Sequence, residues 1–296
     1  MDSASIVRLI VLGAIWGGTF LFLRIGVPVF GPGILVELRV GLAAVFLWLM
    51  SRWMGSRSHL LAHWRHFLKI GLINSALPFL FFAYAAQTLS ASLLSILNSS
   101  APIFGALLSA FWLRQPVSRS AALGLACGVA GVVTLVGGEA AVRGEAWWSA
   151  VVAGLAAPLC YGIASIQAKQ SFATIAPFDN AHGSMWAAAL LVLPFALFMP
   201  MRANPLPLDW AAVLALAVIC TGAAYLLYFR LIQDVGPMRA LSVTFLIPVF
   251  GVLWGVLLLN EKIGWNTLAG GALVLCGTAL ANGVVKLGRL RSEAES

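Results

Sequence analysis

Apolar runs follow one another along almost the whole chain, each closed by a Gly, a Pro or a small basic cluster. Within the runs apolar residues are continuous rather than alternating, which predicts helices and argues against a barrel of strands. A helix crossing hydrocarbon needs about 20 mostly apolar residues. On that measure the pattern predicts ten spans, at roughly 6–27, 33–51, 70–89, 92–113, 120–137, 148–168, 180–200, 210–231, 238–259 and 264–285. Gly and Pro mark the joins, as in Val27-Pro28 to Gly31-Pro32-Gly33 and in Val235-Gly236-Pro237. A longer polar connection separates the second and third spans and carries Arg52, Arg57, Arg65 and Lys69.

Composition supports a bilayer as the solvent. Of 296 residues, 61% are hydrophobic and 9% charged, whereas a soluble domain carries about 25% charged residues. Mean hydropathy is +0.97. The first run holds Trp16 and Arg24 and lacks a small-residue cleavage pattern, so it is expected to remain as a span rather than act as a removable signal. Cys127, Cys160, Cys220 and Cys276 all fall inside apolar runs and read as small packing residues rather than disulfide or metal ligands. No metal and no cofactor is expected.

The net charge of +8 is spread between the hydrophobic runs, so it reports orientation rather than nucleic-acid binding. One side collects Arg8, Arg52, Arg57, Arg65, Lys69, Arg114, Arg119, Lys169, Arg230, Arg239, Lys286, Arg289 and Arg291, and the other only Arg143, Arg202 and Lys262. The positive-inside rule then places both termini in the cytoplasm. Arg24 and Arg39 remain, both inside spans.

The chain also repeats itself. Gln87 and Gln233, Pro102 and Pro248, Gly105 and Gly251, Gln115 and Glu261, Gly124 and Gly270, and Gly131 and Gly277 all match at an offset of 146. Trp16-Gly17 matches Tyr161-Gly162, Arg24 matches Lys169, and Pro32 matches Pro177, at 145. A five-helix unit ends on the side opposite its start, so its copy enters inverted. Inverted repeats are a recurrent transporter architecture with the substrate site between the halves. The expected division is 1–144 and 145–286, with 287–296 a cytoplasmic tail.

The pattern Trp16-Gly17-x-x-Phe20, the span-two Arg39, and Pro248 followed by Glu261, Gly270 and Gly277 resemble the EamA-type branch of the drug/metabolite transporter superfamily over nearly the whole chain. The resemblance implies a ten-helix inner-membrane carrier, often an exporter of amino acids or related metabolites, with one group exporting aromatic amino acids. Gln115 departs from the pattern: many relatives have an acidic residue there, as this chain has at Glu261.

Candidate chemistry follows from what is costly in a membrane. Pro102, Pro248 and Pro78 each release the carbonyl four residues earlier, at Asn98, Thr244 and Asn74. Such groups persist where a polar cavity or protein satisfies them. Asn98 lies roughly 10 Å into its span. These residues are expected to give a central path its polar lining, with a locally satisfied packing kink as the alternative. Trp16, Phe20, Tyr161, Ser165, Trp186 and Tyr225 are expected to add aromatic and hydroxyl walls suited to a hydrophobic or aromatic solute. Trp16 and Tyr161, as repeat equivalents, are expected to face each other across the centre. Arg24 and Glu37 stand at equal distance from the turn near residues 30–31, roughly 10 Å below it, which predicts an ion pair. Glu37 could instead carry a proton. Arg39 is expected to serve architecture, a freed carbonyl or an anionic substrate group, and Glu261 a contact at a helix end. Trp147, Trp148, Trp210 and Trp265 are expected as interface anchors and His182 as a polar cap. Gly13-x-x-x-Gly17, Gly124-x-x-x-Gly128 and Gly251-x-x-x-Gly255 allow close helix approach, within the chain or to a second copy, so the chain is expected as monomer or homodimer.

The reading these features favour is a secondary transporter exporting amino acids, aromatic or other hydrophobic ones favoured, or related metabolites, with that small-molecule substrate and membrane lipid as its partners. Its rivals are an intramembrane enzyme and a passive channel or scaffold. The sequence holds no Walker A loop, no His-Glu-x-x-His pair and no Gly-x-Ser-x-Gly elbow.

Overall fold

The computed structural model describes residues 2–55, 60–112, 114, 118–137, 144–171 and 175–282, and among these there is helix and no strand. Arg57, Gln115, Arg143 and the tail from 283 onward lie outside the described residues, as does the Lys169 side chain. Among the described residues seven helices are long and apolar enough to cross a membrane: α1 (Ser3–Trp53), α2 (Leu60–Ala85), α3 (Ala91–Trp112), α4 (Arg119–Gly137), α5 (Glu145–Gln167), α6 (Pro177–Phe198) and α7 (Pro207–Val235). Two shorter apolar helices follow, α8 (Val243–Leu259) and α9 (Trp265–Ala281). Large apolar side chains such as Val133 and Leu190 stand outward on this bundle, as a lipid-facing surface requires. This is a multi-pass membrane protein.

Two expected spans share α1. The helix runs unbroken to Gly31, where one residue with φ +70° and ψ 164° breaks it. That region of φ is open to Gly at no steric cost. Gly26 and Leu35 then touch: a Cβ on Gly26 would lie 2.7 Å from Leu35 Cδ1. In a straight helix their nine-residue separation would be about 13 Å. The chain therefore doubles back at Gly31 into two arms, 3–30 and 32–53. The Val29 carbonyl at the bend is satisfied by Arg202 N–H and Ala203 N–H, at 2.8 and 3.2 Å. A second departure concerns α2, which begins ten residues before the apolar run. Phe67 and Ile70 bury themselves there while Arg65 and Lys69 stay exposed, so the polar connection is partly helix.

Glycine lets helices meet backbone to backbone. A Cβ on Gly124 would lie 2.6 Å from the Gly277 carbonyl, and one on Gly131 would lie 2.8 Å from the Gly270 carbonyl. Because 124 corresponds to 270 and 131 to 277, the α4–α9 contact is made of two reciprocal copies. The same holds elsewhere. Gly17 abuts Phe250 and Gly251, while its counterpart Gly162 abuts Phe104 and Gly105. Trp16 packs on Tyr228 and Tyr161 on Phe82, and 82 corresponds to 228. The π-helical turns at Leu72–Ala76 and Ala215–Ala223 also fall at matching positions. All three Gly-x-x-x-Gly stretches thus seat the chain against itself, the third with Gly251 on Ser95 and Gly255 on Ser92 and Glu261.

Several charged and aromatic expectations change. Arg24 does not pair with Glu37: its Nη1 donates to the Ala86 carbonyl at 2.6 Å, and Glu37 Oε2 is buried without a partner. Equal depth below a turn did not fix rotation about each arm, and a carbonyl at the α2 end lay closer to the guanidinium. Trp147 is 1% exposed and is core rather than an anchor. Trp210 keeps the exposure of an anchor, at 43%, while its ring meets Phe30 edge to face. His182 is buried inside α6, where it receives the Trp186 indole N–H at 3.1 Å, and the N-cap of that helix is Ala176 instead.

Candidate functional site

The helices enclose a cavity of about 730 Å³. Its floor is aromatic, with Trp16, Phe20, Phe79, Phe82, Tyr161 and Tyr225. Polar groups enter from Thr19, Asn74, Asn98, Ser165, Thr221 and Thr244. The lining reaches one end of the bundle, at Pro177 and Asn180 in the first turn of α6, Ser242 before α8, and Ala281 and Asn282 at the end of α9. None of its residues comes from the other end, where α1 bends at Gly31.

That closed end is bolted by polar contacts between distant segments. The Glu261 carboxylate, on the turn after α8, accepts from Ala91 N–H at 2.7 Å, Ser92 N–H at 3.0 Å and Ser92 Oγ–H at 2.6 Å. These donors open α3, where the first N–H groups have no helical partner and the dipole favours an anion. Arg202 donates to Gln87 Oε1 at 2.7 Å, and Arg24 to Ala86 as above. Beneath them Phe20 and Phe82 meet edge to face at 5.3 Å. Glu261 thus makes the helix-end contact expected of it.

Arg39 stands alone in character. It is 5% exposed and lines the cavity. Its Nε–H donates to Thr221 Oγ1 at 3.0 Å, and the Thr221 hydroxyl donates on to the Leu216 carbonyl at 2.9 Å. The guanidinium carbon lies 3.6 Å from the centre of the Phe79 ring, a cation–π distance. The Leu216 carbonyl acts five residues back from Thr221, in the π-helical stretch of α7; such turns frequently mark functional sites.

Of the residues expected at the site, the cavity gathers Trp16, Phe20, Asn74, Asn98, Pro102, Tyr161, Ser165, Tyr225, Thr244 and Arg39. Trp16 and Tyr161 both line it, each packed at a tilt against a ring of the opposite half rather than against the other. Trp186 is not there: it is 42% exposed, turned away with His182. Pro248 is buried and does not line the cavity; of α8, Thr244, Phe245 and Ile247 do. Arg24, Glu37 and Glu261 lie outside it. Sequence reasoning passed over Thr19, Phe79, Phe82, Cys220 and Thr221. Phe82 carried a signal, since the 146-residue offset pairs it with Tyr228, another aromatic of the lining, whereas Ser75, the counterpart of Thr221, is not in the lining.

Comparison with known proteins agrees with this geometry. The EamA-like transporter family profile matches the chain twice, over residues 4–137 and 148–283. An uncharacterized transporter of Bacillus subtilis, YoaV, is 27% identical over 273 residues, covering 89% of this chain and 91% of its own. A probable terminal-alkyne amino-acid exporter of Streptantibioticus cattleyicolor is 23% identical over 95% of this chain and 94% of its own. A solved crystal structure superposes over the whole of both chains with a TM-score of 0.65 at 21% identity, a likeness of fold. With the family matching both halves and a cavity between them, the chain belongs to the EamA-like transporter family and is a membrane transporter rather than an enzyme.

Proposed function

We propose that the protein is a secondary transporter that exports amino acids, aromatic or other hydrophobic ones favoured, or related small metabolites, by alternating access. In this reading the two arms of α1 count as separate spans, giving ten helices in two five-helix repeats of opposite insertion, 1–144 and 145–286. Both termini are cytoplasmic and the membrane is a bacterial-type inner membrane. The reciprocal contacts support the repeat, because a two-fold relation between halves makes contacts between them recur in pairs. The Lys and Arg asymmetry supports the orientation, which turns the cavity mouth to the cytoplasm and the Glu261 end outward.

The observation that carries the function is the cavity itself: aromatic at its floor, polar at its sides, open at one end and bolted at the other. That is the form of a carrier waiting for a solute on one side of the membrane. The amino-acid preference rests on the aromatic floor and on the Streptantibioticus relative named for such export. The test is uptake of labelled amino acids into inside-out proteoliposomes, with and without a pH gradient. Saturable uptake of hydrophobic amino acids is expected. No uptake of any amino acid would remove the substrate assignment, and flux indifferent to the gradient would remove proton coupling.

A further inference from the structure

Arg39 is the one ionic side chain among the described residues that line the cavity; no Asp, Glu, Lys or His accompanies it. Among the described residues no carboxylate lies within ion-pairing distance of it. The guanidinium is nevertheless held in place rather than loose. Thr221 takes the Nε–H, and its own proton is committed to Leu216, so the hydroxyl can only accept from Arg39. Phe79 covers one face of the guanidinium plane. Among the described residues the terminal nitrogens, with four N–H donors, have no hydrogen-bond acceptor.

A charge inside a membrane protein is costly unless it is paired, and such residues mark solute pathways. Here no carboxylate among the described residues supplies the pairing, and the side chain borders a space large enough for a solute. The planar fork of a guanidinium matches a carboxylate with two parallel hydrogen bonds. We propose that Arg39 is the anchor for a carboxylate of the transported solute, so that the cavity takes zwitterions and organic anions with an apolar body and rejects amines that lack a carboxylate. This inference rests on the transporter reading above and specifies its substrate class. The aromatic floor at Trp16 and Tyr161 receives the apolar body, while the Arg39–Thr221–Phe79 cluster reads the charge.

Three probes separate the parts: L-phenylalanine, 3-phenylpropionate with the carboxylate alone, and phenethylamine with the amine alone. Binding is read from the ligand-induced rise in melting temperature of the purified full chain, and transport from flux in proteoliposomes. In the wild type both carboxylate probes bind, and phenethylamine binds at least about tenfold more weakly. Arg39→Gln weakens the two carboxylate probes by about 30-fold or more, as expected on truncating one partner of a buried charge pair, and leaves phenethylamine unchanged or improved. Arg39→Lys keeps the charge without the fork and falls between them. Equal binding of phenethylamine and 3-phenylpropionate by the wild type overturns the proposal, even if the Gln variant fails to fold. So does a Gln variant that weakens all three probes alike, which is the mark of a merely structural arginine. Amino acid flux that persists unchanged in Arg39→Gln refutes the anchor while transport stands. No movement or binding of any solute refutes the transport reading itself.

Discussion

Replacing Glu261 by Gln should release the closed end of the cavity. The carboxylate accepts three hydrogen bonds, two of them from the first N–H groups of α3. Hydrogen bonds to a charged group contribute about 1.5–3 kcal/mol each, and an anion at a helix N-terminus adds about 0.3–1 kcal/mol. Gln is the same size and keeps one carbonyl acceptor. Its amide NH2 then meets a donor where the second carboxylate oxygen stood. The expected loss is about 3 kcal/mol, near the value of one to two of the charged bonds. A contact present only when this end is closed then shifts the open-to-closed ratio by about 100-fold. The repeat offers no compensating copy: the positions matching Glu261, Ala91 and Ser92 are Gln115, Pro237, which has no N–H, and Met238, which has no hydroxyl. The assay is labelling of a single cysteine placed at Thr19, on the cavity wall, by a membrane-impermeant maleimide in an otherwise cysteine-free protein. With Glu261 present, labelling proceeds from the cytoplasmic face; with Gln it proceeds from the outer face as well. Outer-face labelling that stays at the wild-type rate in Glu261→Gln would refute the reasoning.

Other perturbations follow from the same geometry. Trp16→Ala and Asn98→Ala each reduce amino acid flux while membrane insertion and yield stay normal; unchanged kinetics would remove these residues from the path. Gly124→Ala sets a Cβ against the Gly277 carbonyl, where backbone cannot yield, and costs about 1–3 kcal/mol of stability. Gly137→Ala, with nothing within 4 Å, serves as its neutral control in a melting experiment. Gly31→Ala forces an L side chain to a φ of +70° and ψ of 164°, with a loss of about 1–3 kcal/mol measurable by the same melt.

Much of this architecture is readable in the chain before any coordinates. Apolar runs of membrane-crossing length and matched Pro and Gly positions locate the helices and the halves, because both follow from constraints on single segments. The aromatic floor is legible for a related reason: Trp16 and Tyr161 stand at one position of the repeat, and that position turns inward twice. What escapes is rotation and reach. Arg24 and Glu37 sit at matching depths, yet depth along a helix does not tell which way each side chain points, and Arg24 instead finds the Ala86 carbonyl. Trp186 carries the chemistry of a cavity residue on the face of α6 that turns outward. Trp147 has the position of an interface anchor and the burial of core. The Glu261 bolt shows its sequence signal only as an acid after a helix; its partners, Ala91 and Ser92, lie some 170 residues away.

The claim beneath all of this is that the two halves cross the bilayer with opposite polarity around the cavity. Ala62, in the exposed first turn of α2, and Ala203, before α7, stand at the connections that correspond between the repeats. Single cysteines at these two positions, labelled with an impermeant maleimide in intact cells and in inverted vesicles, report the side of each. Opposite insertion predicts that Ala203→Cys is labelled in intact cells and Ala62→Cys only in inverted vesicles. Labelling of both from the same side would contradict it.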